Sequence, residues 1–141
     1  MPISYTIDAQ RKVVCVKWSG TVTSAEFAEH YRGLLTDEVA DACRRCVADL
    51  RGCAIEVTGA QVQAAIQSVV RPLLGSRPWR SAIIVTDPVA FGLSRQYAAY
   101  SQGFTRCQIF SDEREALAWL LVESVPTDGS SSAPAGRVAE R

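Results

Sequence analysis

The residues best suited to chemistry in this 141-residue chain are five cysteines and one histidine: Cys15, Cys43, Cys46, Cys53, Cys107 and His30. Cys43-Arg-Arg-Cys46 has the spacing of a metal or redox pair, with Cys53 seven residues on. A zinc site needs about four ligands, and no second pair follows. A redox pair of the thioredoxin type follows a strand and opens a helix, whereas this one precedes an apolar strand-like run. Cys46 therefore reads as a small core residue and Cys43 as a loop residue; Cys15 and Cys107 alternate within strands and read as core. An odd cysteine count without a leader argues against a disulfide framework. His30 has no Cys, Ser or Asp set to work with. No catalytic residue, metal site or cofactor is assigned, and the expectation is a protein that is not an enzyme.

Two other positions carry binding chemistry. Thr58 opens a helix, as an N-cap or as a phosphoacceptor beside backbone N–H groups. Thr86-Asp87-Pro88 ends the most strand-like run, and Asp at N-cap with Pro at N1 starts a helix. Ligands of open parallel sheets sit at strand carboxyl ends, so Thr58, Asp87, Phe91, Gly92 and Arg95 form the candidate site. Gly92 offers close backbone approach there; the plainer reading is that Asp87 caps, Phe91 packs and Gly92 relieves crowding. Arg77-Pro-Trp-Arg80 is the candidate contact loop, with Trp79 either an exposed anchor or a cover for the sheet end.

The elements that position these residues follow from periodicity. Ile3–Asp8 alternates apolar and polar residues, a half-buried strand, and Val13–Trp18 completes a hairpin. Thr23-x-x-Glu26 is a capping box opening a helix with Phe27, Tyr31, Leu34 and Leu35 on one face; the polar stretch Asp37 to Asp41 ends it. Cys46 to Leu50 is a third strand. Thr58 opens a second helix, with Val62, Ile66, Val69 and Leu73 inward. Ser81 to Thr86 is a strand buried on both faces. A third helix runs to about Gln102 and stops at Gly103. Arg106 to Phe110 is the fifth strand, and Asp112-x-x-Glu115 caps a last helix lined by Leu117, Leu120 and Leu121. The order β-β-α-β-α-β-α-β-α predicts an α/β fold: a mixed sheet of about five strands, antiparallel at the hairpin and largely parallel beyond it, with about four helices. Residues 1–122 form the domain. Residues 123–141, rich in Ser, Pro and Gly, are expected to be disordered.

Fifteen Lys and Arg balance fifteen Asp and Glu, and the formal net charge is zero. Neutrality excludes a general nucleic-acid binder. The balance is uneven: Val57 to Ser111 holds Arg71, Arg77, Arg80, Arg95 and Arg106 against Asp87 alone, a local +4 that reads as a site for an anion or as a solvated face. No apolar run reaches the ~20 residues of a membrane span, no leader is evident, and a cytoplasmic location is expected.

Ala82-Ile-Ile-Val-Thr-Asp, Phe91-Gly-Leu-Ser-Arg, Ile109-Phe-Ser-Asp and Glu115-Ala-Leu-Ala-Trp-Leu120 in this element order resemble the STAS fold of anti-sigma-factor antagonists. The closer resemblance is to the bacterial branch related to lipid-binding CRAL-TRIO domains. It implies a non-enzymatic regulatory domain with a protein partner, a kinase or an anti-sigma-type regulator. The alternative it implies is a carrier of a small anionic ligand or lipid. The antagonists carry Asp-Ser-Ser/Thr at the second-helix start. Their register places Thr58 at the phosphorylated position and Val57 where the Asp would stand, so the acceptor hydroxyl survives without its acid. A homodimer through the first helix or the hairpin is compatible with this order, and no particular residue argues for it.

Overall fold

A computed structural model describes residues 2–74 and 77–122. Five strands form one sheet: β1 (Ile3–Asp8), β2 (Val13–Trp18), β4 (Arg45–Asp49), β6 (Trp79–Ile84) and β7 (Thr105–Phe110), in spatial order β1-β2-β4-β6-β7. β1 pairs antiparallel to β2, and every other pairing is parallel. The expected mixed α/β sheet is present. The expected disordered tail, 123–141, lies outside the described residues.

Alternation along the strands sorts side chains onto two faces. Val14, Val16, Trp18, Cys46, Leu50, Ile83 and Val85 join the larger core beneath α1 (Ser24–Leu35), α3 (Gly59–Ala65) and α5 (Pro88–Tyr100). Val13, Val47, Ala82 and Ile84 join a smaller core beneath α6 (Glu113–Leu121), with Ala116 and Leu120. β2, β4 and β6 thus bury both faces, which is why their sequences read as continuous apolar runs. β1 buries one face, and Ser4 and Thr6 stay exposed on the other.

Three features depart from the sequence reading. First, Thr21–Thr23 (β3) and Ala54–Glu56 (β5) pair in parallel as a separate two-stranded sheet. Three residues are too few to show a period. This pair launches α1 and α3 side by side, and each helix start carries a full capping box, Thr23 with Glu26 and Thr58 with Gln61.

Second, Asp37 starts a helix rather than closing one. Its carboxylate accepts from the N–H groups of Val39 and Ala40 and caps α2 (Glu38–Cys43). It also accepts the Tyr5 hydroxyl, an interaction that raises the Tyr5 pKa to about 12 and ties β1 to α2. Arg44 adopts a left-handed conformation, φ 55°, and turns α2 into β4. Cys43 consequently ends a helix instead of lying in a loop, and Cys46 is buried, its thiol donating to Ser81 Oγ at 3.4 Å.

Third, α3 passes through a π-helical turn, Ile66–Val70, before α4 (Arg71–Leu74). Pro72 has no N–H for the helical ladder, and the wider turn sits just before it. The turn shifts the helical phase, so Leu74 enters the core at 4% exposure while Leu73, expected inside, is 36% exposed.

Leu74→Ala is expected to destabilise the protein by about 2–4 kcal/mol and Leu73→Ala by less than about 1 kcal/mol in urea unfolding. Equal losses would contradict the phase shift. A second prediction concerns His30, which packs edge-on against Tyr5 and Tyr31 at centroid distances of 6.3 and 4.9 Å. Burial lowers its pKa from 6.5 to about 4. As pH falls from 6.5 to 4 the unfolded chain takes up this proton first, so His30 removes stability across that window and nothing further below it. The slope of stability against pH should flatten between these values in His30→Phe, by an integrated amount of roughly 3 kcal/mol.

Candidate functional site

Parallel strands bring every β-to-α turn to one edge of the sheet. Thr58 and Asp87 both sit there, as the sequence reading required. Thr58 is exposed, and its Oγ1 accepts from Gln61 N at 3.2 Å. Asp87 caps α5 through Val89 N at 3.1 Å and Ala90 N at 3.2 Å. Inward-facing Ala90, Ser94 and Tyr97 turn the other side of α5 to solvent. Val89 is 63% exposed and Phe91 44%, and the Arg95 guanidinium lies 5.9 Å from the Phe91 ring centre. Val89 was not singled out in the sequence. The signal was there in the i, i+4, i+7 spacing of Ala90, Ser94 and Tyr97, masked because two of the three are small.

Gly92 does not provide close approach. A Cβ there would meet nothing within 4 Å. The tight position is Gly59, where the Gln96 amide of α5 lies across the first residue of α3. That amide is the far end of a flexible side chain and can swing aside.

The contact loop lies at the opposite edge, where β6 begins. Trp79 is 5% exposed, so it packs in the core and offers no surface. Arg77 pairs with Asp41. Arg80 stacks on Trp119 at 4.0 Å and donates to the Trp119 carbonyl at 2.7 Å. The structure therefore separates the two candidate sets that the sequence left side by side.

The same separation sorts charge. The carboxyl edge, with the helix starts beside it, carries Glu26, Asp49, Glu56, Asp87, Asp112, Glu113 and Glu115 against Lys17, Arg51, Arg95 and Arg114, a net −3. The amino edge, with the helix ends beside it, carries Arg11, Lys12, Arg44, Arg45, Arg71, Arg77, Arg80 and Arg106 against Asp8, Asp37, Glu38 and Asp41, a net +4. Of the five arginines that suggested an anion site, only Arg95 reaches Thr58 and Asp87's edge. Arg51 is held there by Asp49 in a two-bond fork at 2.9 Å each, a contact that lowers the Asp49 pKa to about 2. An anion gains little at such an edge.

Two concavities accompany the site. The cavity under α1, α3 and α5, walled by Trp18, Tyr31, Leu50, Val62, Ile83 and Tyr97, is about 50 Å³. Small-molecule sites span roughly 300–1,000 Å³, so this one is a packing defect on that scale and far too small for a lipid. A groove of about 300 Å³ crosses the other face between β1, β2 and α6, with Val13, Val47, Ile84 and Leu117 on its floor. Cys15 lines it, and burial raises its thiol pKa. Burial raises the other four thiols too, Cys46 to about 11 and Cys107 to about 12. Thiolate is the nucleophilic form, so none is activated. Among the described residues no three His, Cys, Asp or Glu side chains come together as metal ligands, and no helix is long and apolar enough to cross a membrane.

Loss of either cap is expected to cost about 1 kcal/mol, measured on Thr58→Ala and Asp87→Ala by thermal or urea unfolding. Thr58→Ser should retain the cap, and a larger loss in Thr58→Ser than in Thr58→Ala would contradict the capping geometry.

No curated protein matches this chain. Among solved structures, an uncharacterised protein of the DUF3478 family from Shewanella loihica PV-4, described as having a SpoIIAA-like fold, superposes with a TM-score of 0.57 at 21% identity, over 84% of this chain and 93% of the other. That likeness establishes the fold. The SpoIIAA-like family profile matches residues 13–121, which run from the start of β2 to the end of α6. The chain belongs to the SpoIIAA-like family.

Proposed function

We propose that this chain is a non-enzymatic regulatory domain of the STAS type that docks a protein partner on its carboxyl edge. Val89, Phe91 and Arg95 are the contacts, and Thr58 is the residue at which phosphate would switch the interaction. The observation that carries the reading is the pair Val89 and Phe91, two large apolar side chains held open to water at the start of α5. Exposed apolar groups rimmed by polar ones mark interaction surfaces, and an aromatic beside an arginine is a frequent energetic anchor. The family favours the same reading, since STAS-type domains often act as regulators through other proteins. Val57 stands where antagonists carry an acid and is 7% exposed, so its side chain serves the core. A phosphate on Thr58 would add about two negative charges beside Glu56 and Asp87, which suits release of a partner with an acidic or apolar contact face.

The carrier alternative has less support: the cavity under α1, α3 and α5 is small and the edge near it is acidic. Native mass spectrometry of protein purified from cells, together with thermal shifts against anionic lipids and nucleotides, is expected to show bare protein and no shift.

The test of the docking reading is a photo-crosslinker placed at position 91. It should capture a defined partner in cells, and the double variant Val89→Ser, Phe91→Ser should reduce that capture about tenfold while the melting temperature moves by no more than a few degrees. Capture unaffected by the double variant would sink the reading. Phosphate incorporation that disappears in Thr58→Ala would support the switch; incorporation retained in that variant would remove Thr58 from the proposal and leave the docking surface standing.

A further inference from the structure

β1 is the outer strand of the sheet, with β2 on one side and no strand on the other. Antiparallel partners alternate between pairs that exchange backbone hydrogen bonds and pairs that do not. The Ser19 N–H donates to the Pro2 carbonyl at 2.7 Å, and the register sets Ser4 opposite Lys17 and Thr6 opposite Cys15. Pro2, Ser4, Thr6 and Asp8 therefore turn their backbone groups toward β2, and Ile3, Tyr5 and Ile7 turn theirs outward. Among the described residues nothing bonds to those outward N–H and C=O groups. The strand itself is well anchored: Ile3 is buried, and Tyr5 and Ile7 pack against the larger core. Edge strands are commonly blunted by a lysine, a proline or a bulge. Residues 3–7, Ile-Ser-Tyr-Thr-Ile, carry no charge and no proline, and they pair with β2 without a bulge. Ser4 and Thr6 are exposed on the open face.

We propose that β1 pairs with β1 of a second copy of this chain, giving a two-fold dimer with one continuous sheet. The outward residues are spaced evenly about Tyr5. An antiparallel two-fold through Tyr5 sets Ile3 against the second copy's Ile7 and Tyr5 against its own counterpart, so every outward donor meets an outward acceptor. Ser4 comes to lie across from the second copy's Thr6, a favourable cross-strand hydroxyl pair, and no charge stands opposite a like charge. Charge selects this occupant and this orientation. The two-fold reverses the strand direction, so the amino edge of each copy, net +4, lies alongside the carboxyl edge of the other, net −3. A parallel arrangement would set like edges together. The zero net charge of the whole chain removes long-range repulsion between copies. The pairing also covers the half-buried Tyr5 and Ile7. It rests on none of Val89, Phe91 and Thr58, so the dimer and the docking reading can each fail alone.

The test is sedimentation equilibrium of the full chain over about 5–500 µM at about 50 mM salt, where surface charges are weakly screened. An interface built on one strand pair is small, and a dissociation constant of roughly 10–100 µM is expected. Ser4→Lys with Thr6→Lys sets lysines opposite one another across the two-fold and should weaken the dimer by about tenfold or more. Ser4→Glu with Thr6→Lys sets opposite charges there and should restore the dimer to within about threefold of the unaltered chain. Both positions are exposed, so the melting temperature of either variant should move by no more than a few degrees. Hydrogen exchange at the Tyr5 and Ile7 amides should slow as the chain concentration rises. Any of four results would overturn the proposal: a monomer throughout that range, a dimer indifferent to the two lysines, a Glu–Lys variant no better than the Lys–Lys variant, or an edge that stays open at high concentration and closes only on an added extended peptide of unrelated sequence.

Discussion

The rest of the molecule depends on β6 being dry on both faces. Ser81, Ile83 and Val85 point into one core, and Ala82 and Ile84 into the other. Every backbone group of such a strand has to be paired, because no water reaches it, and only neighbours on both sides can do that. β4 and β7 supply them in parallel. Parallel pairing in turn requires a crossover on each connection, which places α5 on one face and, through β7, α6 on the other. Two cores, two helical layers and the position of each helix start follow from the burial of this one strand.

The same connectivity explains why charge separates in space although it sums to nothing along the chain. Each strand begins at one edge and ends at the other. An arginine before a strand and an acidic cap after it therefore go to opposite ends of the molecule. Helix N-termini favour Asp and Glu, and helix C-termini favour Arg. In this topology the starts of α1, α3, α5 and α6 share the carboxyl edge, so the cap and first-turn acids Glu26, Asp87, Asp112, Glu113 and Glu115 join Asp49 and Glu56 there. The arginines collect at the other edge. Of the residues behind the +4 counted between Val57 and Ser111, Arg71, Arg77, Arg80 and Arg106 lie at the amino edge, while Arg95 and Asp87 lie at the carboxyl edge.

Stability and interaction are divided in the same way. The interior is apolar, and among the five thiols only Cys46 is fully buried; burial nevertheless raises the pKa of all five, which disfavours the reactive thiolate. At the carboxyl edge, Val89 and Phe91 are exposed at the start of α5, and Thr58 is exposed at the start of α3.

Alternation and capping made much of this legible in the linear chain. The bounds of β1 and β2, the caps at Thr23, Thr58, Asp87 and Asp112, and the double-sided burial of Ala82 to Val85 all follow from local rules, because a strand's period and a cap's hydrogen bonds involve residues a few positions apart. Other features needed the fold. β3 and β5 are stable only because each finds the other across more than thirty residues. Asp37 starts a helix because Tyr5 and the packing of α2 on β2 reward it. The π turn before Pro72 sets Leu74 inside in place of Leu73. Trp79 is buried because β6 begins two residues earlier than its apolar run suggests. Composition could count the arginines, but only strand register could set Arg45, Arg80 and Arg106 abreast, since the distance between strands is a property of the sheet and not of the chain.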